Sequence, residues 1–145
     1  MTLLPAASYV ATLQDALAAE HASVYAYGAL AGRLATSSPA QERAADGYRE
    51  HLERRDALTA QVAGSGAVPT PAEPAYAIPV RITGPSSAAR VARQVEDRCA
   101  VHYAAVVAVA EAKQRAFALD AWTDCATRLL GWDGRATALP GLEQP

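Results

Sequence analysis

The sequence predicts an all-α four-helix bundle made of two antiparallel hairpins and a long connection between them. Three observations carry this. Alanine is about a quarter of the chain, far above ordinary usage, and it is the best helix former because ordering it costs no side-chain entropy. Four stretches read as helices, and in the first of them the stripe positions alternate by four and three, which keeps one helix face on a partner. One proline-dense segment divides those stretches into two pairs.

The first helix is read from about Ser8 to Ala35, on the stripe Leu13, Leu17, Glu20, Val24, Tyr27, Ala31 and Leu34. It breaks at Thr36-Ser37-Ser38-Pro39. Ser38 suits an N-cap, Pro39 the first helical position, and Gln41 a capping box. The second helix then runs over 39–63 to Gly64-Ser65-Gly66, its inward line read as Ala44, Tyr48, His51, Arg55, Leu58 and Val62. From 65 to 85 come Pro69, Pro71, Pro74 and Pro79, a density that excludes helix and favours extended chain. The third helix is read over 86–111, on Val91, Val95, Glu96, Cys99, Tyr103, Val106 and Val109. The fourth covers 113–131, on Phe117, Trp122, Cys125, Leu129 and Leu130. A single helix from Ser86 to Leu130 would satisfy the same pattern. Two helices are the favoured reading, because one of that length is rare in a compact domain.

Connection lengths set the topology. The first is short, so the first two helices form an antiparallel hairpin. The proline-rich segment, extended, reaches about 60 Å, whereas a 25-residue helix is only about 38 Å long. It can span the bundle and leave the second and third helices parallel. Hairpin, crossover, hairpin is the ferritin-like plan, expected here as one domain over residues 1–145.

Composition excludes several functions. With 13 Lys plus Arg against 15 Asp plus Glu, the net charge of −2 gives no basic face for nucleic acid. No apolar run reaches the length of a membrane span. The opening MTLLPAASYVATLQD has no basic leader or apolar h-region, so no signal peptide is expected. Cys99 and Cys125 are read as buried thiols in a reducing cytoplasm, although their facing stripes could bring them together. No phosphate loop, nucleophile elbow or CxxC pair occurs.

Chemistry therefore rests on polar residues placed at mid-helix. Glu20 lies inside the first apolar stripe, Glu96 at the middle of the third and His51 at the middle of the second. A buried carboxylate must be paired, protonated or metal-bound. Di-metal carboxylate bundles draw a lone Glu from two helices and a Glu-x-x-His pair from the other two. Glu20 and Glu96 suit the lone positions. The second helix offers Tyr48-x-x-His51 and the fourth offers no histidine, so three of the six ligands remain. Three readings stay open: a full di-iron centre, one divalent metal or iron on Glu20, His51 and Glu96 (helped by Tyr48 or Asp124), and a metal-free cluster. The metal-free cluster is favoured. In it Glu20, Tyr48, His51, Arg55 and Glu96 converge, Arg55 or Arg54 neutralises the carboxylates, and the pKa of His51 rises.

The stretch Leu13-Gln-Asp-Ala-Leu-Ala-Ala-Glu-His-Ala-Ser-Val-Tyr-Ala-Tyr-Gly28 resembles the opening helix of an actinobacterial ferritin-like family classed only as a domain of unknown function. His51-Leu-Glu-Arg-Arg-Asp56, Ala75-Tyr-Ala-Ile-Pro79 and Leu139-Pro-Gly-Leu142 are similar to it as well. The resemblance covers nearly the whole chain and implies the four-helix ferritin-like fold. It also implies shared positions at Glu20, His21, Tyr25, Tyr27, Gly28, His51, Arg54, Arg55 and Asp56, and brings no activity with it.

Three functions are weighed on these grounds. The first is a bundle without redox chemistry, acting as a binding or scaffold protein and carrying no cofactor. It would form a homodimer through the second hairpin, where Val101, Val107, Phe117 and Leu119 lie off the main stripe. The second is a metal-binding or oxidase-like protein using Glu20, His51 and Glu96. The third is a small-molecule pocket roofed by the crossover and lined by Tyr25, Tyr27 and Tyr76. His21, one turn from Tyr25, would join that pocket or simply pack beneath the crossover.

Overall fold

The computed structural model describes residues 6–135, 137 and 139–142. Its helices are α1 (Ala6–Arg33), α2 (Pro39–Gly64), α3 (Pro85–Val109) and α4 (Ala112–Gly131). Ser38 caps α2 by accepting from the Gln41 backbone N–H at 3.2 Å, with Pro39 next to it. The second hairpin is broken, as the sequence favoured. Ala110 and Glu111 are extended and Ala112 takes a positive φ of 48°, which stops the helical ladder without glycine or proline.

Two apolar layers fix the topology. One joins Leu13, Ala16 and Leu17 of α1 to Leu58 and Val62 of α2, to Cys99, Tyr103 and Val106 of α3, and to Ala118, Ala121 and Cys125 of α4. The other joins Tyr27, Leu30 and Leu34 to Ala40 and Ala44, to Ala88, Val91 and Ala92, and to Trp132 just past α4. The beginning of α1 thus lies level with the ends of α2 and α3, so α2 and α3 run parallel. The crossover makes this possible by ascending alongside α1. Gln14 donates to Val68 O at 2.7 Å and accepts from the Thr70 backbone at 2.8 Å. His21 Nε2 lies 2.8 Å from Thr70 O, and the rings of Tyr25 and Tyr76 stand 5.7 Å apart. Helix α1 packs on α2 and α3, and α4 packs mainly on α3.

The inward line of α2 differs from the one read from sequence. Ala44, His51, Leu58 and Val62 are buried, but Gly47 and Arg54 complete the line in place of Tyr48 and Arg55. Both choices alternate three and four residues, so periodicity cannot separate them. Packing decides: Tyr27 occupies the space at Gly47, where an added Cβ would stand 2.4 Å from its ring. Gly47→Ala is expected to cost about 1–3 kcal/mol by overpacking. Gly32→Ala, with nothing within 4 Å of its Cβ, should be neutral or stabilising by up to about 1 kcal/mol. Denaturant midpoints of the two variants test the contrast.

Two other expectations need revision. Leu130, placed on the α4 stripe, is exposed. Of the apolar residues assigned to a dimer face, Val107 and Phe117 pack on the core, the Phe117 ring edge-on to Tyr103 at 6.1 Å. Val101 and Leu119 remain exposed. Much of the apparent excess of apolar surface is internal.

Candidate functional site: a buried carboxylate and imidazole centre

Between the two apolar layers lies one polar layer. Glu20, His51, Arg54 and Glu96 are all buried there, with Ser23 and Cys99 beside them. Helices α1, α2 and α3 deliver these residues by the same spacing that builds their apolar stripes, so the polar layer is part of the packing itself.

His51 is the hub. Its Nδ1 lies 2.6 Å from Glu20 Oε2 and its Nε2 3.2 Å from Glu96 Oε1. A neutral ring would set one nitrogen lone pair against a carboxylate oxygen, so the ring here carries both protons and donates twice. Burial opposes that charge most strongly. The Glu20 charge and hydrogen bonds to Cys99, Glu20 and Glu96 outweigh it, holding the pKa well above the ordinary imidazole value.

Two tyrosines complete the carboxylates. Tyr103 donates to Glu20 Oε1 at 2.5 Å, and Tyr27 donates to Glu96 Oε1 at 2.5 Å. Trp132 Nε1 donates in turn to the Tyr27 hydroxyl at 3.1 Å. Burial, then the neighbouring carboxylate charge, pushes both phenols well above their usual pKa, so they remain donors. The Tyr27 ring also stacks on His51, with centroids 5.0 Å apart. Glu96 Oε2 is buried without a hydrogen-bond partner.

The α4 side of the centre is held by Arg54. Its guanidinium pairs with Asp124, donates to Cys125 Sγ at 3.6 Å and lies over the Tyr103 ring at 5.8 Å. Arg128 bonds the same Asp124 carboxylate at 2.7 Å and reaches Asp46 at 2.9 Å. Cys125 and Cys99 are both free and buried, and the neighbouring Cys125 pulls the Cys99 thiol below its ordinary value. Ser23 Oγ sits 3.1 Å from Cys99 Sγ.

Of the five residues expected to converge, Glu20, His51 and Glu96 do. Tyr48 does not: it is 36% exposed and borders Gly28. Arg55 does not either, because it turns outward and pairs with Asp56 at 2.7 Å. The α2 phase that buries Gly47 and Arg54 necessarily points their C-terminal neighbours outward. In the pocket assigned to the crossover, Tyr25 and Tyr76 meet, His21 ties down Thr70, and Tyr27 instead enters the buried centre.

Sequence reasoning missed Tyr27, Tyr103, Cys99 and Trp132 as members of the centre, and named Arg54 only as the alternative to Arg55. A signal existed for all four of the missed residues. Buried phenols and indoles need partners, and Glu96-x-x-Cys99 repeats the i, i+3 spacing of a ligand pair.

The donor set can be tested against a dinuclear metal centre. Glu20, His51 and Cys99 offer ligand atoms within 4.8 Å of one another. No second imidazole faces them among the described residues, Asp124 is engaged by Arg54, and a permanent guanidinium stands on the α4 side. That arrangement does not fit two metal ions sharing bridging carboxylates.

Four helices in this order, a crossover the length of the bundle and a carboxylate and imidazole centre at mid-height define a ferritin-like four-helix bundle. The family described as Domain of unknown function (DUF4439) matches residues 12–144, and the chain belongs to that family. A conserved hypothetical protein from Mycobacterium tuberculosis is similar in structure, with a TM-score of 0.82 and 30% identity over 90% of this chain and 98% of that one. A ferritin-like, diiron-carboxylate protein from Bacillus anthracis aligns with a TM-score of 0.73 and 14% identity, over 86% of this chain and 92% of that one. That match speaks for the fold alone. No curated protein matches this chain. Among the described residues, no helix is long and apolar enough to cross a membrane.

Proposed function

We propose that this chain is a ferritin-like bundle in which protein cations take the place of a dinuclear metal centre, and that it works as a binding or scaffold protein, not as an oxidase. One observation carries the reading: both ring nitrogens of His51 are engaged by Glu20 and Glu96. Arg54, which stands beside this layer and also pairs with Asp124 and Glu50, adds a second buried cation, so the carboxylates of Glu20 and Glu96 meet positive charge supplied by the chain's own residues. A homodimer through the second hairpin belongs to the same reading and would use Val101 and Leu119, the two residues of its expected face that stay exposed.

A second reading is favoured by the unpaired Glu96 Oε2 and the clustered ligand atoms of Glu20, His51 and Cys99. It holds one divalent ion, which would displace the proton on His51.

Elemental analysis of protein purified without chelator or affinity tag separates the two. The metal-free reading expects less than about 0.1 ion per chain, and a melting temperature moved by less than about 1 °C by excess Fe2+, Co2+ or Zn2+. About one ion per chain, with a metal-dependent rise in melting temperature that Glu20→Ala abolishes, would establish the second reading instead.

A further inference from the structure

A wide concave surface that the buried centre does not use lies between α1 and the crossover. It encloses about 680 Å³, within the usual size range of small-molecule sites. One wall is set by the extended chain after the last prolines. Alternate residues of an extended segment share a face. Tyr76, Ile78, Val80 and Ile82 accordingly line the cleft, while Ala77 and Pro79 between them border a separate small pocket against α1 and α3. The Tyr76 hydroxyl accepts from the Glu73 backbone N–H at 2.8 Å, which fixes the ring's position.

The opposite wall belongs to α1. It supplies Tyr25, against Tyr76, and Arg33 two turns further on, about 12 Å along the axis at 1.5 Å per residue. Arg81, from the crossover, lines the same cleft. The crossover ascends parallel to α1, so Tyr25 and Tyr76 share one end of the slot and Arg33 and Arg81 the other. Between them run the aliphatic side chains of the crossover. Among the described residues neither guanidinium makes an ion pair or a hydrogen bond, whereas Arg54, Arg55 and Arg128 are each paired with a carboxylate.

An aromatic end, an aliphatic floor and two uncommitted cations are complementary to one kind of molecule. We propose that the cleft between α1 and the crossover binds a small amphipathic anion, with an aromatic or apolar body lying against Tyr25, Tyr76 and Ile78 and an acidic head held by Arg33 and Arg81. Guanidinium groups recognise carboxylate, sulfonate or phosphate by charge and by paired N–H donors, and the aromatic end adds stacking area. The site shares no residue with the buried centre, so it stands whichever occupant that centre has.

The test uses two fluorescent probes of matched shape and different charge, 8-anilinonaphthalene-1-sulfonate and neutral N-phenyl-1-naphthylamine. Both are titrated into the full chain with a chelator present, so that metal in the buried centre cannot contribute. One saturable site per chain is expected, with the sulfonate bound at least about tenfold more tightly than the neutral probe. Arg33→Gln/Arg81→Gln should weaken the sulfonate by about tenfold or more and leave the neutral probe unchanged. Tyr25→Ala should weaken both, and Arg90→Gln, on a separate cleft, neither. All three altered arginines are exposed, so far-UV circular dichroism should show an intact fold. Equal affinity for the two probes, several weak sites, or indifference of the sulfonate to Arg33→Gln/Arg81→Gln would overturn the proposal.

Discussion

Arg54→Leu is expected to destabilise the fold by about 3–5 kcal/mol, while Arg55→Leu, one residue on, should change it by less than about 1 kcal/mol. The two arginines differ in every physical respect except sequence position. Arg54 is 3% exposed and pairs with Asp124, and its guanidinium lies over Tyr103, the donor to Glu20. Removing it takes a buried cation from beside Glu20 and from the network it shares with Asp124 and Arg128, and losing one charge of a buried network costs far more than the network contributed. Arg55 reaches a mostly exposed Asp56 across a single residue, where solvent screens the interaction and side-chain entropy opposes it. Urea denaturation of the two variants decides the matter. Equal small losses would mean that Arg54 is not the centre's cation.

That pair of neighbours also marks where the sequence stopped being informative. The stripe of α1 was legible because Leu13, Leu17, Glu20, Tyr27 and Leu34 leave one choice of face. The lengths of the two connections were enough to place α2 parallel to α3. On α2 the polar and apolar residues are intermixed, and two faces half a step apart satisfy the same spacing. What breaks the tie is Gly47, which admits the Tyr27 ring. A glycine inside a helix costs about 1 kcal/mol relative to alanine, so its presence there was itself a packing signal. Glu20, His51 and Glu96 could be found because charged groups on an apolar stripe stand out. Tyr27 and Tyr103 could not be found by that criterion, since each reads as an ordinary core aromatic until a carboxylate is seen opposite its hydroxyl. Trp132 lies past the end of α4, where helical spacing says nothing about direction.

His51→Gln is the other substitution with a large expected effect, about 3–5 kcal/mol at neutral pH. Glutamine can donate to one carboxylate through its amide but carries no charge, so Glu20 and Glu96 would face each other across the bundle with Arg54 as the remaining cation beside them. The same residue gives the parent protein a distinctive pH dependence. The folded state holds the His51 proton to a pH well above 6.5, and the unfolded chain releases it near that value. This contribution to stability is therefore complete below about pH 6.5 and is lost as the pH rises toward the folded-state pKa, at about 1.4 kcal/mol per unit. Cys99, pulled below its ordinary value, and Cys125, pushed above it, would add slopes of opposite sign to one another. A background of Cys99→Ala/Cys125→Ala removes both thiols from the measurement. In that background, unfolding free energies from urea titrations between pH 6.5 and 8.5 should fall steadily with His51 present and stay flat with glutamine in its place. A flat profile with His51 intact would mean that the ring is neutral in the folded protein, and that the carboxylates of Glu20 and Glu96 are balanced by some other cation.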